Sequence, residues 1–590
     1  MYQQAPEPAR EGTARAERTP LPRPGARILS SLVLALLVVG CAAPAGPGTG
    51  VGPAREVERA GPPKRVTIAV LGDAQLLYLD LGVSVPGDDA VQELFNTGLA
   101  EADPTGVFRA QLAEAVPSLE NGLWKTFPDG QMETTWRIIP GVYWHDGAPY
   151  TSEDLVFTLA VSMDRELPLR QRPAYASIAS VEAPDPRTIT VRWKSPFIEA
   201  DTLFSRELAL PLPKHLLQRA AAEDRAAFGQ LLYWSEEFVG TGPFKLREMV
   251  RGSHLLLDAN HQYALGRPKI DEVEIKVLSD PNALMANIFA GTVDAMPGRG
   301  LNYDRAAVLE QQWKDGRVET RFSGGIVMHV QFIQPAPAVV GELPFRRALL
   351  HAVDRQQLVD DLFAGRGSVA HVFLGPTEPE YRGIEGSLVR YEYDTRRAAQ
   401  LIEGLGYTRG ADGFFRDRAD QRLAVEVRVD PGESEQKTVF AVADMWQQVG
   451  VAVEPTVTPS QRARDLEYRY TFPAFYLRSH SGRIRALLNY HSSQIPLPEN
   501  RFAAGDNRGR YASPDLDASI DRYFVTIPLP ERAQVLQVAM RHLTEQLPAL
   551  YLFHDASFTV VSNRVENFTT SKAGGAAAKT WNSYLWDVRP

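Results

Sequence analysis

Residues 135–157 read TWRIIPGVYWHDGAPYTSEDLVF and carry the clearest structural signal in the chain. The run 132–139 alternates and contains β-branched residues, which predicts a strand. The Trp-His-Asp-Gly sequence at 144–147 is typical of a turn, because Asp and Gly favour turn conformations. The Thr-x-x-Asp spacing at 151–154 resembles a capping box, so we expect a helix that begins there and continues to Met163.

Strands and helices intermix along the rest of the chain. Alternating or β-branched runs predict strands at 65–71, 188–193, 423–429 and 549–553. Apolar periodicity predicts helices at 344–365, 435–449 and 530–547. Pro344 suits a first helical turn, and Gly450 suits the end of a helix. Together these patterns predict a mixed α/β fold.

The composition is that of a globular protein with a large apolar core. Hydrophobic residues make up 44% of the 590 residues, and charged residues make up 23%. The formal net charge of −9 argues against nucleic acid or an anionic lipid surface as the main partner. Cys41 is the only cysteine, so no intrachain disulfide can form. Stability must therefore come from buried apolar surface, which a chain of this length can supply.

The N-terminal region has the features of a bacterial lipoprotein signal. Arg23 and Arg27 precede an apolar run, 28–40, which ends directly before Cys41. The alternative is a transmembrane anchor with an incidental cysteine, but the run is shorter than the roughly 20 residues that a spanning helix needs. We therefore predict a signal at 1–40, lipidation of Cys41, and a flexible Gly-, Pro- and Ala-rich linker at 41–63.

The sequence lacks the common catalytic motifs. It has no Gly-x-Ser-x-Gly elbow, His-Glu-x-x-His, phosphate-binding Gly-x4-Gly-Lys or Gly-x-Gly-x-x-Gly after a strand. The histidines are scattered, and the closest pair, His254 and His261, does not have the spacing of a metal motif. We therefore predict that the protein is not an enzyme and needs neither a metal nor a cofactor. Paired glycosidase carboxylates would leave no local motif, so a hydrolase stays an alternative.

Four segments resemble the extracellular solute-binding proteins of family 5, the peptide/nickel class that feeds ABC importers. The first is the 135–157 stretch. The others are GTGPF at 240–244 followed by GRPKIDEV at 266–273, then GTVD at 291–294, and FRRALLHAVDR at 345–355. Their order holds from about Val66 to Phe568. These segments are turns and helix starts without reactive geometry, so we interpret them as markers of the fold.

The resemblance implies a periplasmic-binding-protein type II-like α/β fold, with two lobes around a hinge and an extra inserted sub-domain. Lobe I would comprise 64–105, 236–325 and 556–590, the inserted sub-domain 106–235, and lobe II 326–555. The solute would be captured between the lobes by hinge closure. The implied partner is an ABC permease in the membrane, and we expect a monomer.

Peptide binders of this family place an acidic residue in an aromatic-rich segment of the second lobe, where it meets the amino terminus of the peptide. The matching segment here is FPAFYLRSHSG at 472–482, and the acid position falls on Ser479. No Asp or Glu lies between Tyr470 and Gln494. Arg478 and Ser479 instead favour a ligand with carboxylate, phosphate or hydroxyl groups, such as an opine, a sugar or a modified peptide.

Other positions are predicted to contact the ligand. Asp73, after the first strand, is an alternative anchor for an amine. Phe475 and Tyr476 offer stacking surfaces, although aromatic side chains also belong in cores. The remaining predicted contacts are His329, Gln331 and Gln334, near the expected crossing between the lobes, and His480.

The sequence thus predicts a lipid-anchored, extracytoplasmic protein that captures a peptide or peptide-like solute and delivers it to an ABC importer. Two other classes of function fit the same residues. One is a sensor with the same fold that signals to a membrane receptor. The other is an exported hydrolase on a lipid anchor.

Overall fold

The computed structural model describes residues 63–589, apart from 73–76, 82–87, 171, 226, 299, 463–464, 501, 503–504 and 570–578. The predicted signal at 1–40, Cys41, the linker up to Pro62 and Asp73 lie outside these residues. Within the described ranges, no helix has the length and apolar character needed to cross a membrane.

The elements alternate irregularly between strands and helices, which confirms the mixed α/β prediction. The strands are β1 (Arg65–Leu71), β2 (Ala100–Ala102), β3 (Phe108–Ala110), β4 (Trp124–Thr126), β5 (Met132–Arg137), β6 (Ile178–Asp185), β7 (Thr188–Trp193), β8 (Phe244–Val250), β9 (His254–Ala259), β10 (Glu272–Leu278), β11 (Ala295–Met296), β12 (Gly316–Val330), β13 (Ser368–Val369), β14 (Thr408–Arg409), β15 (Phe415–Arg416), β16 (Ala424–Val429), β17 (Ala452–Val457), β18 (Phe475–Ser481), β19 (Ala549–Ser562), β20 (Val565–Glu566) and β21 (Asp587–Val588). The helices are α1 (Asp88–Phe95), α2 (Ser152–Met163), α3 (Lys214–Glu223), α4 (Pro281–Phe289), α5 (Tyr303–Gln312), α6 (Leu343–His351), α7 (Arg355–Phe363), α8 (Tyr381–Ile384), α9 (Thr395–Gly404), α10 (Glu433–Gln448), α11 (Leu466–Tyr470), α12 (Pro514–Val525) and α13 (Leu529–Gln546).

A long mixed sheet organises the molecule, with the strand order β17-β16-β18-β12-β19-β11-β1-β10-β9-β8. Its centre is the antiparallel pair β12 and β19, which runs from Gly316 opposite Ser562 to His329 opposite Ala549. The first-lobe boundaries predicted at 325 and 556 fall inside these two strands. The lobe boundaries themselves stay a prediction. In the strand order, this pair connects the β16–β18 end of the sheet to the β1–β10 end.

Separate hydrophobic cores lie under different parts of this sheet. One core contains Phe345, Val427 and Trp446 beside the β16–β18 end. Another contains Val66, Ile275 and Trp234 beside the β1–β10 end. A third includes Trp136 of β5 and Trp193 of β7, which belong to the small sheet β4-β5-β7-β6. Each end of the long sheet thus packs on a core of its own.

Two of the family-like segments pack against each other. The His145 N–H donates to the Gly240 carbonyl over 2.9 Å, and the Gly240 N–H donates to His145 Nδ1 over 3.2 Å. A Cβ added at Gly242 would lie 2.4 Å from the Phe95 carbonyl carbon. These glycines are therefore needed for close backbone approach, which supports interpreting both segments as markers of the fold.

The local predictions around residues 132–163 are confirmed. The strand spans Met132–Arg137 and the helix spans Ser152–Met163. Thr151 is the N-cap, and both bonds of its capping box with Asp154 are present. Asp154 also accepts a hydrogen bond from the Lys214 backbone N–H over 2.9 Å. One carboxylate thus fixes the starts of α2 and α3 relative to each other.

The single helix predicted at 344–365 is wrong. The structure has two helices instead, α6 and α7, separated at 352–354. The Asp354 side chain accepts a hydrogen bond from the Gln357 N–H over 3.0 Å and so begins a new helix. The apolar pattern continued across the break because both helices bury side chains in the same core, among them Phe345 and Leu358. The strand predicted at 549–553 extends to Ser562.

Candidate ligand-binding cavity

A cavity of about 680 Å³ lies at the centre of the long sheet. Residues of β12, β18 and β19 line it, together with the loop at 506–511. The cavity is within the size range of small-molecule sites in proteins.

The pairing of β12 with β18 places cavity residues beside one another. Val327 is opposite Arg478, and Gly325 is opposite His480. A Cβ added at Gly325 would lie 2.2 Å from the Phe553 carbonyl oxygen and 2.9 Å from His480 Nε2. Glycine at 325 therefore lets β19 and the His480 ring approach the same point of β12.

The electrostatic centre of the cavity is Asp506, which lies between two arginines. Arg478 Nη1 is 3.0 Å from Asp506 Oδ2, and Arg508 Nη2 is 2.9 Å from Asp506 Oδ1. Burial alone would raise the pKa of Asp506, but the charges of Arg508 and Arg478 hold it below its ordinary value. The carboxylate is therefore ionised, and it neutralises one of the two guanidinium charges. Arg478 Nε also lies 3.9 Å from Asp430 Oδ2, a longer contact than the one with Asp506.

Cationic side chains outnumber carboxylates around the cavity. The cationic lining residues are Arg321, Arg478, Arg483, Arg508 and Lys579. The acidic lining residues are Glu435, Asp506 and Asp555. Since opposite charges attract strongly where water is excluded, this lining favours a ligand that carries negative charge.

The histidines of this region add hydrogen-bonding groups without adding charge. Burial lowers the pKa of His480 to about 4 and that of His554 to about 3. Burial and the nearby Arg508 charge hold the pKa of His329 well below its usual value. These rings are thus neutral at neutral pH, and His480 Nε2 has no hydrogen-bond partner among the described residues.

Aromatic side chains form an apolar wall. The Phe373 and Tyr490 rings are stacked with centroids 6.4 Å apart, and the Tyr551 ring meets His480 edge-on at 5.3 Å. The Tyr490 and Tyr551 hydroxyls are hydrogen-bonded to each other. Because their polar ends are paired, these rings present flat surfaces suited to the apolar part of a ligand.

The structure brings four of the sequence-predicted contacts to the cavity, namely His329, Arg478, Ser479 and His480. The side chains of Gln331 and Phe475 face other partners. The Gln331 amide donates to the Phe472 carbonyl over 2.9 Å, and Phe475 packs against Trp446 in the core.

Two further predicted contacts are also placed away from the lining. Tyr476 is buried and donates its hydroxyl hydrogen to Asp430 Oδ1 over 2.6 Å. Gln334 is exposed, in a loop after β12. As ligand contacts, Gln331, Gln334, Phe475, Tyr476 and Asp73 stay predictions.

The sequence analysis did not identify Asp506, Arg508 and Lys579, or the aromatic wall formed by Phe373, Tyr490 and Tyr551. Asp506 lies 28 positions after its partner Arg478 in the sequence, and no local pattern links the two residues. Within the described residues, no cluster of His, Cys, Asp and Glu has the arrangement of a metal site.

Comparison with known proteins identifies the family. The model of bacterial extracellular solute-binding proteins, family 5 (Middle), matches residues 114–504. The chain belongs to this family, as the four sequence segments indicated. The periplasmic-binding-protein type II-like fold, with two lobes around a hinge and an inserted sub-domain, is thereby confirmed.

Relatives and solved structures agree with this assignment. A Brucella abortus protein named as an ABC transporter peptide-binding protein is 25% identical over 488 residues, covering 80% of this chain and 85% of the relative. The oligopeptide-binding protein AppA of Bacillus subtilis, solved with a nonapeptide, has a TM-score of 0.67 at 18% identity, covering 90% of this chain and 100% of AppA. NikA of Brucella suis, solved with Fe(III)-EDTA, has a TM-score of 0.72 at 18% identity, covering 89% of this chain and 100% of NikA.

Proposed function

We propose that this protein captures a peptide-like solute that carries a carboxylate and delivers it to an ABC importer. The observation that carries the proposal is the excess of cationic side chains around a cavity of about 680 Å³. The relative named for peptide binding in an ABC transporter supports the importer and the peptide-like class. Neither role needs a nucleophile or a cofactor.

The recognition step follows from the arginine pair. Asp506 holds Arg478 and Arg508 in place and neutralises one of their charges. A ligand carboxylate can take the second charge and form charge-assisted hydrogen bonds with a guanidinium. Closure of the lobes then removes water and strengthens these bonds. The solute shifts the protein towards the closed state to the extent that it binds that state more tightly.

A free amine is recognised less well by the same lining. Ser479 occupies the position where an acid is expected, and Asp506 is already paired with two arginines. Asp555 accepts hydrogen bonds from the Tyr303 hydroxyl over 3.3 Å and from the Ala556 N–H over 2.7 Å. We therefore propose that the carboxylate end of the solute, rather than its amino end, provides most of the binding energy.

Thermal unfolding with a matched peptide series tests this proposal. The series is one tripeptide with both termini free, the same peptide amidated at its carboxyl end, and the same peptide acetylated at its amino end. A ligand at 100 times its Kd stabilises the native state by about 2.7 kcal/mol. We expect stabilisation by the free and acetylated peptides and a much smaller effect of the amide. The reverse order would contradict the role of the arginines.

We also propose that the protein is anchored outside the cytoplasm through lipid on Cys41. The sequence signal before Cys41 supports this, and two or more acyl chains hold a protein stably at a bilayer. Labelling bacteria with radioactive palmitate tests it directly. The wild-type protein should incorporate label and Cys41→Ala should not, whereas equal labelling of the two proteins would exclude Cys41 as the attachment point.

A further inference from the structure

Two ion pairs join the end of β18 to the predicted inserted sub-domain. Arg483 Nη1 lies 2.7 Å from Glu207 Oε2, and Arg485 forms an ion pair with Glu199. The two arginines follow the cavity strand directly, while the two carboxylates lie at 199 and 207, far away in the chain. Both ion pairs therefore depend on how these two distant segments pack in the folded protein.

Arg483 connects this contact to the ligand cavity. It lines the central cavity and also a second cavity of about 610 Å³, whose walls include Glu199, Glu207 and Arg485. Arg478, Ser479 and His480 lie on the strand just before it. A shift of β18 on ligand binding would therefore move both arginines relative to their carboxylate partners.

The carboxylate side of the contact is held rigidly. Glu207 is 3.7 Å from Arg206 Nη2, and Arg206 Nη1 is 2.7 Å from Glu93 Oε1. Arg206 is almost completely buried, with 7% of its side chain exposed. Burial would raise the pKa of Glu207, but the charges of Arg483 and Arg206 lower it, so Glu207 is ionised. The arginine side is more exposed, with 42% of the Arg483 side chain accessible.

We infer that the pairs Arg483–Glu207 and Arg485–Glu199 form an ion-pair latch that holds the second lobe on the inserted sub-domain in the closed state. The inference rests on the proposed function, because it assigns the closing contact of the same cleft. Partly exposed ion pairs contribute little individually. Two of them still shift an open–closed equilibrium by about threefold to tenfold, which changes solute affinity by a similar factor.

The latch can be tested without any ligand, by a distance measurement between spin labels. The labels are placed at Ala222→Cys in α3 and Glu403→Cys in α9, two exposed sites on the predicted sub-domain and lobe II, in a Cys41→Ala background. Pulsed electron paramagnetic resonance then gives the populations of short and long distances between the two labels. We expect the ratio of closed to open populations to fall by about threefold to tenfold in E199Q/E207Q, and to fall in the parent protein when salt is raised.

Matched variants separate the latch from general destabilisation. The control is E531Q, which breaks the 3.0 Å ion pair between Arg522 of α12 and Glu531 of α13. This variant should leave the distances between the labels unchanged. The charge swap E199R/R485E should restore the closed population that E199R alone reduces. Distances that stay the same in E199Q/E207Q, or a swap that fails to restore closure, would overturn the latch. Because no solute is used, that outcome would leave the proposed binding function to its own test.

Discussion

Asp506 lies between Arg478 and Arg508 in the wall of the cavity, with Arg478 Nη1 3.0 Å from Asp506 Oδ2. Arg478 is on β18, whereas Asp506 and Arg508 are on a loop that follows β18 in the sequence. Arg478 Nε also lies 3.9 Å from Asp430 Oδ2, but five cationic and only three acidic side chains line the cavity, so its wall carries a net positive charge. That charge is the basis for expecting an anionic group on the solute.

Replacement of Arg478 by alanine should weaken the binding of carboxylate solutes. The change removes one charge-assisted partner of the ligand, and we expect about a tenfold to hundredfold rise in Kd, equivalent to 1.4–2.8 kcal/mol. Isothermal titration calorimetry with a free tripeptide measures it. The matched control is Arg462→Ala, which removes an exposed arginine paired with Asp465 and should not change Kd. An equal loss in both variants would argue against a local role of Arg478.

Replacement of Asp506 by asparagine should act in two opposite ways. Without the carboxylate, Arg478 and Arg508 repel each other, and the free energy of unfolding should fall by about 1 kcal/mol, since Asp506 is partly exposed. A solute carboxylate should then bind more tightly, because it replaces the lost counter-charge. Thermal unfolding with and without succinate shows both effects. A variant that is stabilised less by succinate than the wild type would contradict this account.

Protonation of His554 should make the protein less stable in acid. Burial lowers the folded-state pKa to about 3, whereas the unfolded chain has a pKa near 6.5. The unfolded state therefore binds more protons below pH 6.5, and stability is lost as the pH falls, by about 2 kcal/mol at pH 5. His554→Gln should flatten the dependence of the unfolding free energy on pH between 4 and 6.5. The slopes of the two proteins should agree above pH 7.5, and identical slopes throughout would exclude His554 as the cause.

Glu101 should give a pH dependence of the opposite sign. Burial raises its pKa to about 8, with a further rise from the nearby Glu93 charge that the Arg206 charge only partly offsets. The unfolded chain releases this proton near pH 4.5, so the wild type loses stability as the pH rises from 4.5 towards 8. Glu101→Gln carries no such proton. Urea unfolding should show the variant gaining on the wild type by about 2 kcal/mol or more between pH 5 and pH 8. If the difference in unfolding free energy between the variant and the wild type stays constant with pH, Glu101 is not protonated in the folded protein.

The Gly-Thr-Gly-Pro-Phe segment should tolerate no side chain at Gly242. The added Cβ would lie 2.4 Å from the Phe95 carbonyl carbon and 2.7 Å from the Asn96 backbone nitrogen, so backbone must move. We expect Gly242→Ala to lower the free energy of unfolding by about 1–3 kcal/mol. Gly383→Ala in α8 is the control, because its Cβ would meet nothing within 4 Å. If both variants unfold alike, close backbone approach is not the reason for the glycine.

The sequence predicted those features that depend on neighbouring residues. The capping box of Thr151 and Asp154 lies within the start of one helix, and the buried strand Arg65–Leu71 is a run of mostly apolar and β-branched residues, so a local pattern was enough in both cases. The break at Asp354 was missed, because the apolar periodicity of two helices in one core resembles that of one helix.

The sequence predicted only some of the residues that line the cavity. The segment 472–482 was identified because it resembles the family pattern, and Arg478, Ser479 and His480 in it do line the cavity. Asp506, Arg508 and Lys579 come from other segments that only the fold brings to this place. A single sequence holds no signal for such long-range charge pairing, so the contact of Asp506 with Arg478 and Arg508 could not have been predicted.

The most direct test of the central claim is isothermal titration of the purified protein with one pool of tripeptides, free or amidated at the carboxyl end. We predict saturable binding of one peptide per protein with the free pool, and binding that is at least tenfold weaker with the amidated pool, because only a free carboxylate can form charge-assisted hydrogen bonds with the cationic lining of the cavity. Equal binding of the two pools, or heat from neither, would contradict the proposal that this cavity captures a carboxylate-bearing, peptide-like solute.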